Sequence, residues 1–304
     1  MSAGKKLPGT IDPTDFWQGA DGIRIAGDSW GNPSGPLVLL QHGGGQTRHA
    51  WKGTGEKLGS AGYYAVAFDA RGHGDSDWAP EGMYSQNSMI EDLKCVILAL
   101  GDRRPILVGA SMGGVTSLVA VGEGHLDASA LILVDIAPRI EIEGSKKIMA
   151  FMNQNPEGFE SLEEIADAIS KYQPHRERPK NLAGLAKNVR IGPDGRYRWH
   201  WDPRFRKGAP DIAKRQMRLE ACARKLTQPT LLVRGALSDI LSDEGVDMFL
   251  DLCPHSEYVN VSGAGHMIAG DRNDIFGTAV IDFLARKAPI NGRPTAIDHN
   301  SAKR

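Results

Sequence analysis

An apolar run, Pro105-Ile106-Leu107-Val108, meets Gly109-Ala110-Ser111-Met112-Gly113-Gly114 and continues as Val115-Thr116-Ser117-Leu118-Val119-Ala120. In order, that is a buried strand, a sharp turn and a helix, with a serine at the turn in a Gly-x-Ser-x-Gly frame. So tight a turn forces the serine into a strained backbone conformation, and glycines two positions either side leave room for strand and helix to cross. Ser111 Oγ is expected to stand clear at the carboxyl end of a sheet. The Met112 amide, in the first helical turn, would face the place where an oxyanion forms. The bare pattern also fits a plain Gly-Ser turn; the flanking strand and helix favour the catalytic reading.

The rest of the chain supplies the sheet. Continuous apolar strands are read at 36–41, 63–69, 130–135 and 230–235, and another strand at 256–261. Helical stretches lie between or after them at 51–61, 85–100, 242–252 and 274–286. Alternation of this kind implies crossover units and a mainly parallel sheet, an α/β fold. A short alternating strand within 22–32 reads as an antiparallel edge. The alternation stops over 139–226, which is expected to be an inserted, mostly helical cap, with Ser161 and Glu164 spaced as a capping box. Residues 1–15 and 288–304 lack periodicity and are expected to be disordered, which leaves 16–138 and 227–287 as the core. The insertion holds 19 Lys and Arg against 12 Asp and Glu, net +7, and the remainder is net −8.

A net charge of −1 over 304 residues argues against nucleic acid as a partner. No run approaches the roughly 20 apolar residues of a membrane span. No apolar stretch follows Lys5 and Lys6 as a secretory signal would, and the three cysteines are odd in number and scattered, which suggests neither disulfides nor a metal cluster. A cytoplasmic protein is expected, a monomer or homodimer acting on a small molecule with an apolar part.

A serine hydroxyl needs a base, and the base an orienting acid. His266 follows the last strand in Gly263-Ala264-Gly265-His266-Met267, where glycines let a loop fold back over the sheet, and is the expected base. His42 and His73, each before glycine in a tight loop, are expected to pin loops instead. Asp239, in the loop after the 230–235 strand, is the expected acid, with Asp135 and Asp243 as competitors; the order Ser, Asp, His fits a triad on a doubly wound sheet. The oxyanion donors are expected to be the amides of Met112 and Gly44, with Gly43 next. Trp51, Trp199, Trp201 and Met267 are candidates for the substrate pocket, although the cap tryptophans could equally form the cap's own core. A dinucleotide fingerprint at Gly53-Thr54-Gly55 has the wrong spacing, and no metal or organic cofactor is expected.

Together, His42-Gly43-Gly44-Gly45, Asp69-Ala70-Arg71-Gly72-His73-Gly74-Asp75-Ser76, Gly109-Ala110-Ser111-Met112-Gly113, the Asp239 loop and Gly265-His266 resemble the α/β-hydrolase fold superfamily over about residues 20–287. The loops are most similar to the group of epoxide hydrolases, C–C hydrolases and cofactor-free haloperoxidases or esterases. The resemblance implies an eight-stranded sheet of order 1-2-4-3-5-6-7-8 with a helical cap after strand six. It also implies ester-type hydrolysis through an acyl-enzyme, carboxylesterase-like. Ser111 stands where epoxide hydrolases carry aspartate, which disfavours alkyl-enzyme chemistry. C–C cleavage, perhydrolysis or lyase chemistry on the same triad, and a ligand receptor without turnover, are the alternatives.

Overall fold

The computed structural model describes residues 3–174, 178, 180–206, 211–268 and 273–290. Eight strands form one sheet: β1 (Asp15–Gln18), β2 (Arg24–Trp30), β3 (Leu37–Gln41), β4 (Tyr64–Phe68), β5 (Ile106–Ala110), β6 (Ala130–Val134), β9 (Thr230–Gly235) and β10 (Glu257–Val261). Their order is β1-β2-β4-β3-β5-β6-β9-β10, which is the expected topology. From β4 onward the pairings are parallel; β1 and β2 are antiparallel additions. The strand expected at the edge, β2, is in fact flanked on both sides, because the short Asp15–Gln18 segment pairs outside it.

Period-two alternation divides the central strands between two cores. Leu37 and Leu39 of β3 point into a layer shared with α2 (Gln86–Ala99), α3 (Met112–Gly122), α6 (Ile212–Ala223) and α7 (Asp243–Leu252). Val38 and Leu40 point the other way, onto α1 (Lys52–Ser60) and α8 (Asn273–Lys287). β3, β4, β5, β6 and β9 are buried along their whole length, so their backbone groups must pair with neighbouring strands, and the parallel register is held from both faces.

Between β6 and β9 the chain leaves the sheet. α4 (Ile142–Asn153), α5 (Leu162–Tyr172) and an antiparallel pair, β7 (Val189–Ile191) and β8 (Tyr197–Trp199), form a small body with its own apolar centre of Phe159, Ile165, Val189, Trp199 and Trp201. Ser161 caps α5 by accepting from the Glu164 amide, as its spacing predicts. Beside its helices the insertion carries β7 and β8, which zip together across a Gly-containing turn. One expectation needs correction. Helix α6, although inside 139–226, packs on the body: Leu219, Cys222 and Ala223 join the first core, and Cys222 lies against Gly122.

The amino-terminal segment also departs from expectation. Lys5 exchanges backbone hydrogen bonds with Ile191 of β7, and Leu7 is buried in the cap's centre, so this stretch gains order from the cap edge. At the other end, Ile290 packs against the second core, and the expected disorder of 291–304 lies outside the described residues.

Candidate active site

Ala110, the last residue of β5, pairs in register with Val134, the last of β6. The residues that follow, Ser111 and Asp135, therefore leave adjacent strands at the same rim. Ser111 donates its amide to the Val134 carbonyl at 3.1 Å and then turns sharply, with φ 45° and ψ −107°. A non-glycine residue there is strained, and the surroundings hold it. A Cβ on Gly109 would stand 2.5 Å from the Gly113 carbonyl carbon, and one on Gly113 would stand 2.5 Å from the Gln41 carbonyl oxygen. The glycines of the elbow are thus required by the close approach of β5, α3 and β3.

The imidazole of His266, in the loop after β10, donates Nδ1–H to Asp135 Oδ2 at 2.7 Å. That leaves Nε2 to act as a base. Asp135 is fully buried. Its Oδ1 accepts the Gly235 amide at 3.0 Å, and its Oδ2 also accepts the Ser238 hydroxyl. Asp239, the expected acid, points away: it is half-exposed and pairs with Lys147 of α4 at 3.1 Å. Successive residues of that loop face opposite ways, so Ser238 turns its hydroxyl inward to Asp135 and Asp239 turns its carboxylate outward. The histidine's partner is thus the acid after β6. The third candidate, Asp243, pairs with Arg234 and lies in the first turn of α7.

The loop expected to supply an oxyanion donor follows β3. The Gly43 amide is taken by Gln46 Oε1 at 2.9 Å and the Gly45 amide by His73 Nε2 at 3.2 Å. Between them, the Gly44 amide has no acceptor among the described residues. Met112 is the first residue of α3, where amides have no intrahelical acceptor. A Cβ on Gly43 would lie 3.4 Å from Ser111 Cβ, which sets this loop beside the serine.

The fold and this constellation agree with the comparisons. Residues 36–272 match the family described as alpha/beta hydrolase fold. The chain belongs to the α/β-hydrolase fold family. It is 28% identical to an esterase of Mycobacterium tuberculosis, over 80% of each chain. It is 30% identical to the 3-hydroxybutyrate-oligomer hydrolase of Cupriavidus necator, over 80% of this chain and 87% of that one. A crystal structure of E-2-(acetamidomethylene)succinate hydrolase superposes with a TM-score of 0.76 at 24% identity, covering 89% of this chain and 98% of the other.

In this hydrolase the expected pocket residues divide. Trp51 is fully buried in the second core against Phe276 at 5.8 Å, so it supports the sheet and does not meet substrate. Trp199 stacks on Trp201 at 5.0 Å inside the cap. Trp201 also reaches the body, since a Cβ on Gly45 would stand 3.4 Å from its ring and 3.1 Å from Met152. With Phe205 near Gly44, these side chains roof the loop after β3. Met267, beside His266, lines a cleft of about 410 Å³ between the cap and the loops after β9 and β10.

Sequence reasoning passed over His200, which completes a row with His42 and His73, ring centroids 5.2 and 5.8 Å apart. His42 donates Nδ1–H to the Gly43 carbonyl and accepts the Ala70 amide on Nε2. His73 donates to the Arg71 carbonyl and accepts from Gly45. His200, from the cap, accepts the Gly74 amide and donates to the Gly45 carbonyl. Each ring bridges two backbones only if neutral. Burial, foremost, holds all three below the usual histidine range, His73 down to about 3. The two body histidines thus pin loops, as expected, and the third ties the cap to them.

Among the described residues no group of three or more His, Cys, Asp or Glu side chains is arranged to hold a metal, and no helix is long and apolar enough to cross a membrane.

Proposed function

We propose that this hydrolase is a serine esterase that works through an acyl-enzyme, with Ser111 as nucleophile, His266 as general base and Asp135 as the orienting acid. The observation that carries the reading is the 2.7 Å bond from His266 Nδ1 to buried Asp135, on the strand end next to the strained serine. His266 Nε2 takes the hydroxyl proton as Oγ bonds to the carbonyl carbon. The oxygen gains charge and is met by the Met112 and Gly44 amides. Collapse expels the alcohol with the proton from His266, and water, activated by the same base, releases the acid.

The esterase name of the Mycobacterium tuberculosis relative supports an ester as the scissile group. The substrate is a small molecule with an apolar part, admitted between cap and body. Labelling with a fluorophosphonate followed by peptide mass analysis tests the reading. A single adduct on Ser111 is expected, absent in Ser111→Ala and strongly reduced in His266→Ala, together with steady turnover of p-nitrophenyl butyrate. An adduct elsewhere, or an intact protein that neither labels nor turns over, contradicts it.

A further inference from the structure

The cleft of about 410 Å³ is of the size that small-molecule sites occupy, and the body and the cap line it with different chemistry. The body gives Gly265, His266 and Met267. The cap gives Lys147 of α4 and Lys171 of α5, and Tyr172, Pro174 and Leu237 add apolar surface. Among the described residues the one carboxylate on the lining is Asp239, and it is matched with Lys147 at 3.1 Å. Among the described residues no carboxylate pairs with Lys171. Both members of the Lys147–Asp239 pair are largely exposed, at 65% and 46% of the side chain, so the pair is weak and easily exchanged for another partner. Among the described residues the cleft thus carries one more cation than anion.

We propose that the substrate is an ester bearing a carboxylate at the end remote from the scissile carbonyl, held by Lys171 with help from Lys147. This rests on the esterase reading. The scissile carbonyl lies at the His266 end, a short apolar stem runs past Met267 and Leu237, and the carboxylate meets the lysines. Lysine suits the task as a point charge on a flexible stem, able to meet carboxylates on stems of slightly different length. The charge also raises the local concentration of anionic substrate, an effect that salt weakens.

The test compares the p-nitrophenyl monoester of glutaric acid, which carries the carboxylate, with p-nitrophenyl pentanoate, which lacks it, after subtracting spontaneous hydrolysis. The wild-type protein is expected to favour the anionic ester in kcat/KM by about tenfold or more, a preference that shrinks as salt rises to about 0.5 M. Lys171→Met is expected to lower the anionic-to-neutral ratio about tenfold, and Lys171→Arg to keep most of it. Turnover of both esters with a ratio near one, or a ratio indifferent to Lys171→Met, overturns the proposal and leaves the esterase reading intact. Should neither ester be turned over, the esterase reading fails. The carboxylate site is then judged by calorimetry of glutarate on the Ser111→Ala protein, where binding that Lys171→Met does not weaken, or no binding, overturns it.

Discussion

Two non-glycine residues in the left-handed region, Ser111 at φ 45° and Asp135 at φ 51°, end neighbouring strands and face the same rim. Each is held there by a backbone bond to the next strand, Ser111 to Val134 and Asp135 to Val233. At this scale the sequence points to the serine and the histidine and to Asp239 as the acid, whereas the carboxylate that His266 bonds in the structure is Asp135. Asp135 and Asp239 both follow a strand, and both lie between the serine and the histidine in chain order, so neither order nor loop position separates them. What separates them is which side chain of the Ser238-Asp239 pair turns inward, a matter of local backbone direction. Ser238 gains its role from that turn: its hydroxyl donates to Asp135 and accepts the Ile240 and Leu241 amides at 3.1 and 3.2 Å. Hydrogen bonds to a charged group are worth about 1.5–3 kcal/mol. Ser238→Ala is therefore expected to lower kcat about tenfold or more with little change in KM, and Ser238→Thr to restore most of it. An unchanged kcat in Ser238→Ala would remove the hydroxyl from the account.

The elements were legible where burial on both faces wrote apolar runs, as in β3 through β6 and β9. They were not legible where pairing alone defines them. β1, β7 and β8 are three or four residues long, carry charged or amide side chains, and exist because a neighbouring edge supplies their hydrogen bonds. α6 reads as an amphipathic helix like those of the cap; only the Leu219, Cys222 and Ala223 face, seated on α3, assigns it to the body. The crossing of β5 and α3 depends on glycine for a measurable reason. Gly113→Ala would set a methyl 2.5 Å from the Gln41 carbonyl oxygen, which is backbone of β3 and cannot turn aside. A loss of about 1–3 kcal/mol in stability is expected from denaturant melts. A midpoint equal to wild type would mean that the elbow is looser than these distances imply.

Across the whole molecule, cap and body are joined by buried polar groups. Arg190 of the cap reaches Asp75 at 2.9 Å and the Gly74 carbonyl at 2.8 Å, and His200 bridges Gly74 and Gly45. The three neutral histidines make this junction sensitive to acid. In an unfolded chain histidine takes up a proton near pH 6.5, whereas His73 stays neutral in the fold until about 3. The unfolded state therefore binds more protons in that window. The histidines' contribution to stability is complete above about pH 6.5 and is lost as pH falls below it. Asp69, held below the usual carboxylate range by Arg48 against the opposing effect of its burial, adds to acid lability only below about pH 4. The melting temperature should be level from about pH 8 to 7 and fall between about pH 6.5 and 4.5. His200→Asn should melt lower at neutral pH with a shallower fall, and an identical slope would exclude His200 from the effect. The convergence of three distant loops on one rim is the central claim, and its sharpest test is turnover of p-nitrophenyl butyrate by Asp135→Asn beside Asp239→Asn. A loss of about 10⁴-fold for Asp135→Asn and under tenfold for Asp239→Asn is expected; the reverse would return the acid to the loop after β9 and contradict the site described here.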